Sequence, residues 1–220
     1  MKTESKYFIF DYSINDLTYI DDLIEYLDKE IIGIISFFEL NKFGNKIQIH
    51  LFDNVNKLWD LHDNLYDTRK RFGEVPNWIC GFSVKDDVFT LCLEELRKTK
   101  NKDKANLDEL KSLILHEVIH SIHSKVNLET TSSIWLSEGL ATTLSHQYDC
   151  AEIKLDSSID DILIGNCYYY NYNAIFQYIL NNYDKKFILN LINDSTFLKN
   201  EENEILYSCI KYYRQKSIRQ

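Results

Sequence analysis

The sequence predicts an α+β fold, with a mixed β-sheet and packed helices in an N-terminal lobe of about residues 1–125 and an all-helical C-terminal lobe of about 126–220. Three observations predict it. Upstream, segments of period-two apolar alternation are interleaved with segments of helical spacing; downstream of about residue 105 only helical spacing recurs. With one proline and six glycines in 220 residues, the chain has no composition shift that would mark a flexible linker, and no internal repeat.

The elements follow in order. "KYFIF" reads as a strand, and "INDLTYIDDLIEYLDKEIIGIISFFE" puts Leu17, Ile20, Leu23, Ile24, Leu27 and Ile31 on one helical face. In "KIQIHLFDN", Ile47, Ile49 and Leu51 alternate with Gln48, His50 and Phe52, the signature of a half-buried strand. Residues 55–70 read as helix. Pro76 marks a turn, followed by short strands near Trp78–Phe82 and Val88–Leu93 that "KDD" connects. After the lysine-rich loop "RKTKNKDKAN", Asn106 and Glu109 have the spacing of a capping box, which predicts a helix running to about Lys125. Another helix starts among Thr131, Ser132 and Ser133 and carries "IWLSEGLATTLSHQY"; residues 173–192 and 203–214 read as further helices.

Composition excludes several classes of partner. A formal net charge of −9 argues against nucleic acid and anionic membranes, both of which need clustered Lys and Arg. "MKTESKYFIFDYS" lacks a secretory signal's apolar core, and no apolar run approaches the roughly 20 residues that span a bilayer. A cytoplasmic protein is expected. Cys80, Cys92, Cys150, Cys167 and Cys209 are odd in number and contain no CxxC pair, so buried thiols are expected rather than a disulfide framework or a thiolate metal site.

The chemistry is concentrated in "HEVIH", residues 116–120. Four residues apart on a helix, His116 and His120 share a face and can hold one cation together. Glu117 is rotated about 100° from His116, off the ion but within reach of a water bound to it. A catalytic zinc needs three protein ligands and an open position, so a third ligand is required. His123 lies roughly 10.5 Å of helical rise from His116, too far to join the same ion. "HEVIHSIHSKV" lacks the glycine turn and histidine of the metzincin pattern. Glu138, in "WLSEGLA" on the next predicted helix and separated from His120 by 17 residues, is far enough for the chain to turn back and is the ligand expected.

"HEVIH" together with "WLSEGLA" resembles the gluzincin zinc metallopeptidases, whose pattern is HExxH followed on a second helix by a glutamate ligand, with Trp before it and Gly-x-Ala after it. The resemblance is close over residues 106–148 and looser over "KIQIHLFDN", "PNWICGFS", "VFTLCLEE" and the downstream tyrosines. It implies that residues 1–220 form one metallopeptidase catalytic domain around a single Zn2+. His116, His120 and Glu138 would bind the ion, and Glu117 would be the general base. A tyrosine would stabilise the oxyanion; within "NCYYYNYNAIF" the resemblance favours Tyr170, with Tyr168, Tyr169 and Tyr172 as rivals. Thr142, one turn after Glu138, would orient a histidine ligand. Gly139 suggests close backbone packing beside Glu138.

In gluzincins an edge strand before the HExxH helix pairs with an extended peptide, which singles out Val88, Phe89, Thr90 and Leu91 as the substrate strand. The GxMxN signature that grips a free N-terminus in the related aminopeptidases is missing, and "CGFS" replaces it poorly. Endopeptidase action on a peptide or protein is therefore favoured over aminopeptidase action. The competing class is a zinc protein that binds without catalysis, for which an intact Glu117 would have no purpose.

Overall fold

Apolar alternation builds β3 (Ile47–Phe52), where Ile47, Ile49 and Leu51 are buried and the intervening residues stay half-exposed. In the computed structural model, which describes residues 1–41, 43–74, 76, 78–99, 105–148 and 155–218, β3 lies at the centre of a five-stranded sheet. β2 (Phe8–Asp11) and β5 (Asp87–Leu91) flank it in parallel. β1 (Lys2–Glu4) and β4 (Gly81–Val84) are antiparallel edges, giving the order β1-β2-β3-β5-β4. The mixed sheet with packed helices is thus present. β1 is an addition, since its polar residues carry no apolar signal.

The chain divides into two compact units, Met1–Ser121 and Ile122–Gln220. In the first, α1 (Ile20–Phe37) buries Ile20, Leu23, Leu27, Ile31 and Ile34, which recur every three or four residues. Leu17, expected on that face, lies in a preceding 3-10 turn (Ile14–Thr18) and is exposed. The helix expected over 55–70 is two: α2 (Val55–Tyr66), capped by Asn54, and α3 (Thr68–Phe72). They are separated at Asp67, whose left-handed backbone (φ 51°) cannot continue a helix. Lys85, also left-handed (φ 55°), turns β4 into β5, and α4 (Leu93–Thr99) follows the sheet.

α5 (Leu107–Val126) begins where the sequence predicts, with Asn106 Oδ1 accepting the Glu109 N–H at 2.9 Å, and it runs unbroken across the boundary between the units. Its length matches the predicted end within a residue. Leu110, Ile114, Leu115, Val118 and Ile119 are buried along it. The Ser121 hydroxyl donates to the carbonyl of Lys85, tying the helix to the β4–β5 turn.

Among its described residues the second unit has helices and no strand: after a 3-10 turn (Thr130–Ser132) come α6 (Ile134–Leu144), α7 (Ile159–Ile164), α8 (Tyr169–Asn182), α9 (Lys185–Asn193) and α10 (Ser195–Ile218). The run expected over 173–192 is broken by Asp184, whose side chain accepts the Phe187 N–H at 2.8 Å and starts a new helix. α6 is almost wholly buried and crosses α8 closely, because Gly139 has no Cβ. An added one would stand 2.7 Å from the Tyr172 carbonyl oxygen and 3.1 Å from Phe176 Cβ. The tight packing expected beside Glu138 is present. Cys92 and Cys209 are buried free thiols, Cys167 is a half-buried one, and Cys150 lies outside the described residues. Among the described residues no helix is long and apolar enough to cross a membrane.

Candidate metal centre

The four-residue spacing on α5 brings the His116 and His120 rings into an edge-on pair, centroids 4.6 Å apart at 80°, with their Nε2 atoms 2.9 Å from each other. His116, His120 and Glu138 each offer one ligand atom, and the three atoms lie within 4.8 Å of one another. A group of this kind could hold a metal ion. The donor set suits it: two imidazole nitrogens and a carboxylate oxygen suit a divalent transition metal, and the nitrogen separation is close to the ~3.3 Å that two nitrogens span on a tetrahedral zinc.

Glu117 is 7% exposed and packs beside β4. A Cβ at residue 81 would sit 3.3 Å from Glu117 Cγ and 3.4 Å from Glu117 Oε1, so the glycine gives the carboxylate its place. Tyr66, at the end of α2, also senses it. Burial first, and then the Glu117 charge, raise the Tyr66 phenol above its ordinary value. Neither Gly81 nor Tyr66 was singled out for a role at the sequence level; a glycine inside a strand was the one available signal.

Several expectations need correction. Val88, Phe89, Thr90 and Leu91 lie on β5, which is paired with β3 on one side and β4 on the other, so its backbone has no open side. The edge on that flank of the sheet is β4, "GFSV". Thr142 is fully buried, but its hydroxyl donates to the carbonyl of Glu138 at 2.6 Å, back-bonding within α6 instead of orienting an imidazole. His123, which helical rise keeps off the ion, is fully buried, with Nε2 3.0 Å from Thr130 Oγ1.

The tyrosines separate clearly. The Tyr170 hydroxyl donates to Asp156 Oδ2 at 2.6 Å, and that bond is the largest influence raising its pKa. Tyr168 is largely exposed and stacks on Tyr170; Tyr169 packs edge-on against Tyr172. Tyr172 is 2% exposed and bonded to Cys167, its phenol raised by burial first. Tyr148 is half-buried, and burial followed by the Glu138 charge raises its phenol. Glu138 therefore acts on Tyr148 and Tyr172, while the groups acting on Tyr170 are Asp156, Asn171 and Tyr168. Nothing in the sequence marked Tyr148.

No protein-family model matches the chain, and neither a curated protein nor a solved structure matches it.

Proposed function

We propose that the chain is a zinc-dependent peptidase in which His116, His120 and Glu138 hold the ion and Glu117 is the general base. The observation that carries the reading is the convergence of these three ligand atoms while the carboxylate of the intervening Glu117 is held against a sheet-edge strand. When bound, zinc would supply Lewis acidity and an acidified water. Glu117 takes the proton of the attacking water and returns it to the departing amine. The extended substrate runs along β4 rather than β5. Tyr148 is proposed in place of Tyr170 as the phenol for the developing oxyanion: Glu138 acts on it, whereas the Tyr170 hydroxyl is bonded to Asp156 and Tyr172, on which Glu138 also acts, is buried and bonded to Cys167.

Glu117→Gln should retain one zinc per chain and lose hydrolysis of N-terminally blocked fluorogenic peptides. Turnover near the parent level would refute the assignment of the base. Cleavage of unblocked peptides alone would make the protein an aminopeptidase. Four protein ligands around the metal, with no cleavage of any peptide, would make it a zinc-binding protein without catalysis.

A further inference from the structure

The exposed edge of β4 is partly occupied by the protein's own side chains. The Cys80 carbonyl accepts the Leu91 N–H at 3.0 Å, which fixes the direction of every backbone group along the strand. In an antiparallel ladder alternate residues face the partner, so Cys80, Phe82 and Val84 point toward β5, while Ile79, Gly81 and Ser83 point away from it. Two of these three outward carbonyls accept from donors on α2. The Trp59 indole N–H donates to the Ile79 carbonyl at 3.0 Å, and the Tyr66 hydroxyl reaches the Ser83 carbonyl at 3.5 Å, the limit of hydrogen-bond reach.

The geometry is that of a clamp with two fixed jaws. Trp59 and Tyr66 are seven residues apart, two helical turns, and so share a face of α2. The Tyr66 ring is anchored on His62 and Phe82, at 4.7 and 6.1 Å between centroids. Gly81 lies between the two contacts, is partly exposed, and is the residue against which Glu117 packs.

We infer that Trp59 and Tyr66 set the length of peptide the site binds: by occupying the outward Ile79 and Ser83 carbonyls they leave, of the three, only that of Gly81 to a ligand, so that the site pairs with a short extended peptide segment beside Glu117 and gains nothing from a longer one. The inference rests on the peptidase reading for its choice of ligand. Covering an edge with helix side chains is also how sheets avoid pairing with other chains.

The test uses the full-length, zinc-loaded Glu117→Gln protein, labelled with 15N and titrated with acetylated, amidated mixed-sequence peptide pools of three and of seven residues. The Gly81 amide signal should shift with both pools, and half-saturation should agree within about twofold. With Tyr66→Ala added, the seven-residue pool should bind about two- to tenfold more tightly than the three-residue pool, the range of one added net hydrogen bond. Trp59→Phe, which frees the Ile79 carbonyl and retains an aromatic ring, should give the same length dependence if the Tyr66 variant folds poorly. A silent Gly81 amide, a length preference already present without these substitutions, or length-independent binding in both variants would overturn the inference. Length-dependent behaviour as expected, with no hydrolysis by the parent enzyme, would leave this inference standing and defeat the peptidase reading alone.

Discussion

Replacing Gly139 with alanine should destabilise the protein even though alanine is the better helix former. In an exposed helix the exchange would gain about 1 kcal/mol. Here the new methyl would stand 2.7 Å from the Tyr172 carbonyl oxygen, 3.1 Å from Phe176 Cβ and 3.4 Å from the Tyr172 carbonyl carbon. Real Cβ atoms essentially never come that close to an oxygen, and the obstacle is helix backbone, which cannot swing aside as a side chain can. α6 and α8 must separate by about half an ångström, and overpacking of this kind costs about 1–3 kcal/mol. Because backbone is the obstacle, the cost belongs at the upper end of that range, and about 1–2 kcal/mol of net destabilisation remains after the helix gain. For a chain of this length that lowers Tm by about 2–8 °C. The assay is thermal unfolding by circular dichroism in the presence of a chelator, so that any metal held through the neighbouring Glu138 does not contribute. An alanine variant as stable as the parent, or more stable, would refute the close α6–α8 crossing.

Glu138→Ala should lower zinc affinity by about 100-fold or more, beyond the loss typical of an outer hydrogen-bond partner, as read by competition with a chromogenic chelator; unchanged affinity would remove Glu138 from the ligand set. Zinc at about 100 times its dissociation constant should stabilise the parent by about 2.7 kcal/mol, and little shift in Tm on adding it would contradict a site formed in the folded chain. Tyr170→Phe should change kcat by no more than a few-fold, whereas Tyr148→Phe should lower it by roughly 100-fold with KM little altered; the reverse pattern would restore Tyr170 to the site. His62 is held below the ordinary 6.5, mainly by burial and against the opposing charge of Asp63, so the unfolded chain takes up its proton first. Stability should therefore fall as pH drops through 6.5 toward the lower folded value, and His62→Gln should flatten that decline in chelated protein; an unaltered slope would refute it.

Local signals carried much of the fold. Alternation identified β3, and the Asn106–Glu109 cap with helical periodicity located α5, because each depends on residues only a few positions apart. Breaks within helical runs were harder to read. Asp67 and Asp184 are compatible with the apolar periodicity around them, and only the backbone turn at one and the side-chain cap at the other interrupt the helices. Strand order was harder still, since a period of two tells which face a residue occupies and nothing of which strand lies beside it. For that reason the gluzincin resemblance pointed to β5 as the open edge, when β4 folds back through Lys85 and covers it.

The candidate ligand group was legible because coordination chemistry restricts both residue type and spacing: helical rise excluded His123, and Glu138 lay on the next predicted helix, far enough on for the chain to turn back. The tyrosine could not be chosen in this way. Any of several phenols satisfies the chemical requirement, and the choice depends on which hydroxyl is already bonded, as Tyr170 is to Asp156. Glycine provides the remaining clue in each unit, for a physical reason shared by both positions. A strand glycine gives up packing and a helix glycine gives up about 1 kcal/mol of propensity, so each is expected where something must approach more closely than a Cβ permits. At Gly139 the neighbour is the backbone of α8; at Gly81 the neighbours are the side chain of Glu117 and the carbonyl of Phe89, each 3.3 Å from where a Cβ would stand. A methyl at Gly81 would have its nearest contacts at 3.3 Å, tight enough to displace Glu117 by tenths of an ångström without preventing folding. Position 81 is thus where the proposed base can be displaced separately from stability, and on the peptidase reading Gly81→Ala should lower kcat while leaving Tm and zinc content close to those of the parent.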